Sequence, residues 1–312
     1  MSEFIEMIFN AIFEDIYGLE SKMRGLILMD PCQASNGGIE NPFYTFWSSA
    51  GSSIQTLLSG IALTICGVFF CVEFVKTFSR IEGTTYEAVV GVGLKLCLAK
   101  LAIGLGGKLM EALTATGNSI ILTISSVSLG TTSTSGDEPL GLTVLLPWLT
   151  DSDLKAAAAG AFVHQCVEDL GTLESFGLIA IVLIPLLVVK ASVLITTIMA
   201  YGRILELMLF HAFAPLPMGF LFLDNARIPK RFFASYFATV LQGIFMFVGY
   251  SIFSSKVTSI IQSTAAVVGS SDDISGYSVL TSMLFQIVIW SVMMIVIVMK
   301  SGSWASKVVG EG

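Results

Sequence analysis

The chain has 312 residues, of which 54% are hydrophobic and only 12% are charged, and its net charge is −7. An average soluble domain carries about 25% charged residues. Composition this poor in charge excludes an ordinary water-soluble fold and predicts an integral membrane protein. A membrane barrel would need alternating strands of about ten residues, and no such pattern is found. The predicted fold class is therefore all-α and polytopic.

The N-terminus predicts an amphipathic helix and not a cleavable signal peptide, because acids stand where a signal peptide is basic. Apolar residues recur on one helical face from Phe4 to Ile16, with acidic and polar residues between them. We expect this face to lie on a membrane or on a partner. Its acidity favours a partner protein or a second copy over anionic lipid. Residues 1–53 are assigned to an extracytoplasmic N-terminal region.

Six stretches approach the roughly 20 apolar residues that a helix needs to cross a hydrocarbon core. They are Ile54–Val75, Ala88–Met110, Leu178–Ala200, Ile204–Leu223, Phe232–Ser255 and Val279–Met299. Residues 54–110 thus hold the first two crossings, and residues 178–312 form a C-terminal membrane bundle with a short cytoplasmic tail. Between them, residues 111–177 are predicted to be an acidic extracytoplasmic loop, with eight acids against Lys155 alone.

The stretch Ile204–Leu223 is predicted to break within the membrane. Pro215 and Pro217 each lack a backbone donor, and two prolines so close together break a helix. His211 lies just before them. Non-helical backbone at membrane depth must be covered by protein or by a hydrated cavity. We therefore predict a re-entrant or in-plane element, and an ordinary proline-kinked crossing is the alternative. A basic cytoplasmic turn follows it: Arg227, Lys230 and Arg231.

The distribution of lysine and arginine among the loops favours the same topology. If all six stretches crossed from an outside N-terminus, eight loop cations would lie outside and four inside, which reverses the usual rule. If Ile204–Leu223 enters from the inside and returns, eight lie inside. The prediction is about five crossings, with the N-terminus outside and the C-terminus in the cytoplasm.

Charged residues inside apolar stretches are the candidates for a translocation path or a bundle interior. They are Lys95, Lys100, Lys108, Lys190 and Glu206. A cation at mid-bilayer costs at least ~2.5–3.5 kcal/mol unless it reaches the interface or is paired. The three lysines of Ala88–Met110 predict a helix that faces a hydrated interior or a bundle interface, compatible with an anionic substrate. The alternatives are lysines that reach the interface, or a helix outside the bilayer. Lys190 needs a partner, and Glu206 or Glu73 could serve, as could backbone carbonyls or water.

No catalytic or metal-binding motif is found, so we predict no enzymatic activity and no cofactor. The sequence GLGGK at Gly104–Lys108 resembles a phosphate loop, but Ala102 and Leu109 stand where that motif needs Gly and Ser or Thr. His164 and His211 fall in different regions. No HExxH, GxSxG or Cys/His cluster accompanies them.

The five cysteines are scattered, and three of them lie in apolar stretches. Only Cys32 and Cys166 lie in polar regions. They would pair only if both faced an oxidising compartment, and no spacing typical of a zinc site is found.

Two segments carry a resemblance to a known family. They are ILELMLFHAFAPLPMGFLF, from Ile204, and RFFASYFATVLQGIFMFVGYSIF, from Arg231. With the central loop and the N-terminal helix, they resemble the TrbL-like polytopic inner-membrane subunit of type IV secretion and conjugation systems, in its short form from conjugative elements of Gram-positive bacteria. The likeness covers most of the chain and is strongest from Glu174 to Lys307.

The resemblance implies a non-enzymatic scaffold or channel subunit in the cell membrane. Such a subunit assembles in several copies beside cytoplasmic translocation ATPases and other membrane subunits, and contacts the DNA or DNA–protein substrate at most transiently. The acidic loop disfavours direct contact with DNA, because nucleic-acid affinity rests on Lys and Arg neutralising phosphate. The lysines of Ala88–Met110 are better placed for an anion path.

Two other functions remain open. One is a secondary transporter of a small solute, with a site formed by the Pro215–Pro217 element, Lys190 and Glu206. The absence of an internal sequence repeat and the large outside loop count against it. The other is an accessory scaffold of a different envelope complex.

Cysteine labelling tests the predicted orientation. We expect Asp224→Cys and Lys230→Cys to react with a membrane-impermeant maleimide in inverted vesicles but not in intact cells, because both lie on the predicted cytoplasmic side. Ser133→Cys, in the acidic loop, should give the opposite result. Labelling of Asp224→Cys from outside would restore a sixth crossing.

Overall fold

A computed structural model describes residues 2–36, 39–80, 86–127, 172–221, 227–268 and 276–310. Most of the predicted acidic loop therefore lies outside the described residues, together with His164 and Cys166. The described chain is almost entirely helical. Its extended structure is a two-residue antiparallel ladder that pairs β1, Ser35–Asn36, with β2, Ile39–Glu40.

The helices follow in chain order. Helix α1 is Ser2–Ile27, α2 is Tyr44–Phe46, and a π-helical turn, Trp47–Gly51, leads into α3, Ser52–Arg80. Helix α4 is Tyr86–Val127, α5 is Thr172–Phe213 and α6 is the short Pro215–Met218. Helix α7 is Arg227–Val268 and α8 is Gly276–Val309.

Five of the described segments are long and apolar enough to cross a membrane. They are Tyr44–Lys76, Val90–Ile124, Gly177–Met218, Arg227–Thr264 and Tyr277–Val309. Their outer surfaces are themselves apolar: Leu57, Val75 and Leu187 are 66%, 65% and 68% exposed. Lipid tails solvate such surfaces well. The predicted all-α class with about five crossings is confirmed.

The boundary drawn between Leu178–Ala200 and Ile204–Leu223 is wrong. Helix α5 continues without a turn through residues 201–203 and ends only at Phe213. Hydropathy separates the two stretches at residues 201–203, but three less apolar residues do not end a helix. At 1.5 Å per residue, α5 is about 63 Å long, twice the thickness of a hydrocarbon core.

The first part of the predicted central loop is also helical, since α4 extends beyond Met110 to Val127. Serine and threonine in this part bond back to carbonyls one turn earlier. The donors Thr114, Thr116 and Ser119 reach Met110 O at 3.2 Å, Ala112 O at 2.8 Å and Ala115 O at 3.0 Å. These bonds satisfy the hydroxyls within the helix, so a Ser/Thr-rich composition does not end it.

The chain divides into two compact units. The first comprises Met1–Ile27, Ile120–Tyr201 and Ile244–Ser301. The second comprises Leu28–Ser119, Gly202–Gly243 and Gly302–Gly312. Helices α4, α5, α7 and α8 each contribute to both units.

In the first unit, α1 confirms the predicted amphipathic helix, but the expectation that its apolar face lies on a membrane or a partner is wrong. The chain itself buries this face, while Glu14 and Lys22 are exposed and Phe4 is 47% exposed. The periodicity of a sequence defines an apolar face but not what covers it. The buried residues are Ile5, Ile8, Phe9, Ile12, Phe13, Ile16, Leu19, Met23, Leu26 and Ile27.

An ion pair joins α1 to α5 in the same unit. The Nζ atom of Lys190 lies 2.6 Å from Asp15 Oδ2, and the two side chains are 56% and 21% exposed. The predicted pairing of Lys190 with Glu206 or Glu73 is therefore wrong, because an acid distant in sequence is brought to it. Such a pair contributes up to about 1 kcal/mol. Burial of the apolar face, at about 2 kcal/mol per side chain, contributes on the order of 10 kcal/mol relative to water. Burial of the apolar face therefore holds α1 in place more strongly than the ion pair does.

In the second unit, the loop before α2 closes around Asn41. Its side-chain amide donates to Pro31 O at 3.2 Å and to Gln33 O at 3.0 Å, and its Oδ1 accepts from Phe43 N–H at 3.0 Å. Cys32 lies inside this loop. Burial, followed by the nearby carboxylate of Asp30, raises the pKa of the Cys32 thiol to about 12. This thiol is therefore protonated and weakly nucleophilic at neutral pH.

Exchanging the charges of Asp15 and Lys190 tests the α1–α5 pairing. We expect Asp15→Lys and Lys190→Asp each to lower the free energy of unfolding by on the order of 1 kcal/mol, because each places like charges together. The double variant should recover most of this loss, measured as Tm in detergent. Glu14→Lys, at an exposed neighbouring position, should not be rescued by Lys190→Asp. A double variant as unstable as the sum of the singles would contradict the pairing.

Candidate functional site

The helix break is the most distinctive local feature of the second unit. Helix α5 ends at Phe213, and α6 begins one residue later at Pro215. Proline suits the first position of a helix, where its missing N–H would have no partner. Three turn-type bonds follow: Gly219 N–H to Leu216 O and Phe220 N–H to Pro217 O, both 3.1 Å, and Leu221 N–H to Met218 O, 3.2 Å. The helix is interrupted at Ala214, whose backbone angles stay helical at φ −51° and ψ −39°. The re-entrant or in-plane element stays a prediction, and the proline-kinked crossing stays its alternative.

Protein covers the break on the side of α3. A Cβ atom added to Gly219 would lie 2.7 Å from Ala62 O and 3.1 Å from Ala62 Cα, so the two backbones are in direct contact. No other residue fits at Gly219 without moving α3. A core cluster continues this contact into α4; its buried members are Ala62, Cys66, Ala99, Ile103 and Met218.

A second core cluster covers the break on the side of α7. Its buried members are Met110, Leu207, Ala214, Tyr236 and Val240. Aromatic rings surround it edge to face. The ring of Phe210 lies 5.3 Å from that of Phe232 and 5.7 Å from that of Tyr236, measured between centroids. Such pairs add about 0.5–1.5 kcal/mol each beyond their buried area.

His211 is buried in this cluster with one ring nitrogen unpaired. Its Nδ1 lies 2.9 Å from Leu207 O, and because a carbonyl only accepts, Nδ1 carries the proton. Nε2 is then a lone-pair acceptor, and it has no hydrogen-bond partner within the described residues. The rings of Tyr236 and Trp47 stand edge-on to the imidazole at 5.6 and 6.3 Å. The Nε2 atom of His211 can therefore accept one proton or one hydrogen bond.

Tyr236 holds α7 against α4 through its hydroxyl. That hydroxyl donates to Met110 O at 3.0 Å and is in hydrogen-bond contact with Thr114 Oγ1. Both hydroxyls are therefore satisfied while Tyr236 is fully buried. This polar contact was not predicted, because nothing in the local sequence distinguishes Tyr236 from the other aromatic residues of its helix.

Arg203 is buried in the second unit, which its place in the sequence did not predict. It is 2% exposed, and its Nε donates to Thr239 O at 3.1 Å. Its guanidinium occupies the space left by the absent side chain of Gly243, where an added Cβ would lie 2.6 Å from Arg203 Nε. An arginine and a glycine 40 positions apart share no local signal. Buried charge in an apolar stretch marks functional or structural importance.

The predicted path charges are exposed, whereas the residues of the broken element are buried. Lys95, Lys100 and Lys108 are all exposed on α4, and Glu206 is exposed on α5. None of these four side chains enters the interior of the single chain. By contrast, the broken-helix residues His211, Pro215 and Pro217 are all buried and lie together.

The predicted basic turn is part of a helix. Arg227 is the first residue of α7, and Lys230 and Arg231 follow in its first turns, all three exposed. Residues 222–226, which precede it, lie outside the described residues. Cations at a helix N-terminus oppose its dipole. Within the described residues, no group of three His, Cys, Asp or Glu could hold a metal ion.

Five apolar helices and a protein-covered break define the chain as a polytopic all-α membrane protein. Comparison with protein-family models finds no match, and a search of curated proteins finds none either.

The Arg203–Gly243 contact is tested by two glycine substitutions. We expect Gly243→Ala to lower the free energy of unfolding by about 1–3 kcal/mol, because the new methyl displaces the buried guanidinium. Gly202→Ala is the matched control: a Cβ there meets nothing within 4 Å, and alanine favours helix. Its Tm in detergent should equal or exceed that of the wild type. Equal Tm values for both variants would contradict the contact.

Proposed function

We propose that this protein is a membrane-embedded scaffold or channel subunit of a type IV secretion machine that carries out conjugative DNA transfer, without enzymatic activity of its own. It resides in the cell membrane with its N-terminus outside and its C-terminus in the cytoplasm. Its partners are translocation ATPases, other membrane subunits and further copies of itself.

One observation supports the proposal above others. The two segments that carry the resemblance form one buried cluster: Leu207 and Ala214 from the first pack with Tyr236 and Val240 from the second. The likeness therefore falls on residues that build a single structural element, the covered helix break. Similar residues scattered over the surface would not have this property.

The charges of α4 agree with a role in an assembly. Lys100 and Lys108 are exposed on a helix that is otherwise apolar enough to cross a membrane. A monomer in lipid would leave both cations facing hydrocarbon unless they reached the interface, at a cost of at least ~2.5–3.5 kcal/mol for a central cation. A subunit that meets others, or lines a hydrated path for an anionic polymer, removes this cost.

A secondary transporter is the alternative function. The unpaired Nε2 of buried His211, next to a broken helix, favours it, since transporter sites use discontinuous helices. The predicted site does not assemble, however, because Lys190 pairs with Asp15 and Glu206 is exposed.

Deletion of the gene tests the proposal. We expect the deletion to abolish conjugative transfer of its element while growth remains unchanged, because a channel subunit is needed only for transfer. Plasmid-borne wild type should restore transfer, and an affinity-tagged copy should co-purify with a translocation ATPase. Normal transfer from the deletion strain would refute the proposal.

Two substitutions connect this function to the helix break. Gly219→Ala should reduce transfer, because its methyl meets the backbone of Ala62. Gly67→Ala is the control on α3, where a Cβ meets nothing within 4 Å. Solute uptake into liposomes by the purified protein, abolished by His211→Gln, would instead favour the transporter.

A further inference from the structure

Three buried hydroxyl groups in the first unit have no hydrogen-bond partner within the described residues. They belong to Ser192 and Thr196 on α5 and to Ser291 on α8, and each residue is at most 2% exposed. A buried polar group without a hydrogen bond is costly, and native structures satisfy nearly all such groups. These three hydroxyls therefore need a partner.

Other hydroxyls of the same two helices show how serine and threonine normally avoid this cost. Thr197 on α5 donates to Val193 O, and Ser301 on α8 donates to Val298 O, both at 2.7 Å. Each bond uses a carbonyl three or four residues earlier in the same helix. The three unpaired hydroxyls do not make this bond, so they remain available to a group outside their own helices.

Helices α5 and α8 run side by side through the first unit in the same direction. They begin together, because a Cβ added to Gly177 would lie 3.8 Å from Tyr277 Oη. The first unit then includes α5 as far as Tyr201 and α8 as far as Ser301, which is 24 residues beyond the contact on each helix. Two helices that start in contact and stay in one compact unit over equal lengths lie parallel.

This arrangement brings the three hydroxyls to one level. Ser192 lies 15 residues after Gly177, and Ser291 lies 14 residues after Tyr277. At a rise of about 1.5 Å per residue, the two serines differ in level by a single residue step. Thr196 follows Ser192 by one turn on the same buried face, about 40° further round the helix axis.

Apolar side chains enclose this level on both helices. Buried residues precede and follow the hydroxyls on the same helix faces: Val189 and Ala200 on α5, Ile287 and Met294 on α8. The charges near this level already have partners. Lys190 forms its ion pair with Asp15, and the exposed Lys256 of α7 lies 6.0 Å from the ring centroid of Trp290. A neutral ligand therefore suits the three hydroxyls better than an ion, which would need an opposite charge.

We propose that Ser192, Thr196 and Ser291 form a binding site for ordered water inside the first unit. Water donates and accepts hydrogen bonds, as hydroxyl groups do, and a buried water makes about three of them. The bound water joins α5 to α8 through these side chains. The site belongs to the first unit, whereas the helix break belongs to the second, so it is a feature beyond the proposed function.

The sign of the stability change in single variants tests the site. We expect Ser192→Ala, Ser291→Ala and Thr196→Val each to lower Tm in detergent by about 2–4 °C, because each leaves the water with one partner fewer. Alanine is a better helix former than serine, so loss of a hydroxyl that had no partner would raise Tm instead. Thr197→Val is the matched control, since its hydroxyl bonds within its own helix, and its Tm should stay within about 1 °C of the wild type. A rise of Tm in the three single variants would overturn the proposal.

Combined variants separate water from two other arrangements. The triple variant removes every side chain that holds the water, so its Tm should lie above the value obtained by adding the three single losses. A direct bond between the two serines would make Thr196→Val additive with both serine variants, which would overturn the proposal. Replacing sodium by choline in the buffer should leave Tm unchanged. A fall of Tm in choline that the triple variant abolishes would reveal a bound cation and would also overturn it.

Thiol reactivity tests for water at the site directly. In a background with all five native cysteines replaced by alanine, Ser192→Cys should react with methyl methanethiosulfonate at least about tenfold faster than Val189→Cys, because the reactive thiolate forms only where water reaches the thiol. Ser291→Cys with Ile287→Cys gives the same comparison on α8. Equal rates within each pair would contradict the site. Purified protein is used, so the result does not depend on whether the chain acts in DNA transfer.

Discussion

Unpaired backbone groups cannot face hydrocarbon, and the arrangement of the second unit depends on this constraint. Pro215 and Pro217 remove two donors at one level of the chain, so the carbonyls before them lose their usual helical partners. Protein packs against this segment on two sides. Gly219 lies against the backbone of Ala62, and the aromatic cluster around Tyr236 packs on the opposite side. The cores that join α3, α4 and α7 are therefore built around a break, and substitutions in these cores are expected to act on the break itself.

Close packing of helices at glycine residues also holds the helices together. Lipid tails are as apolar as leucine, so membrane helices associate through tight packing and a few polar contacts. Glycines supply the space for such packing. Gly243 receives the guanidinium of Arg203, Gly117 receives Val240, and, in the first unit, Gly249 receives Ile297. Each is a place where a single methyl group would have to displace its neighbour.

Three charged residues in apolar helices differ in their burial and in the partners they have. Arg203 is buried and donates a hydrogen bond to a backbone carbonyl. Lys190 is half-exposed and forms an ion pair with Asp15. Lys108 is exposed and has no ion pair within the described residues. The first two stabilise the single chain.

Helix class, the number of spans and the presence of a break were all predictable from the sequence, because hydropathy, length and the loss of donors at proline are local properties. The placement of the break at Ala214, the burial of the apolar face of α1 and the pairing of Lys190 with Asp15 were not. Each depends on which residues distant in sequence come together. A sequence defines which helix faces are apolar and which charges or backbone groups need a partner. Only the tertiary structure decides which neighbour covers each face and which partner each group meets.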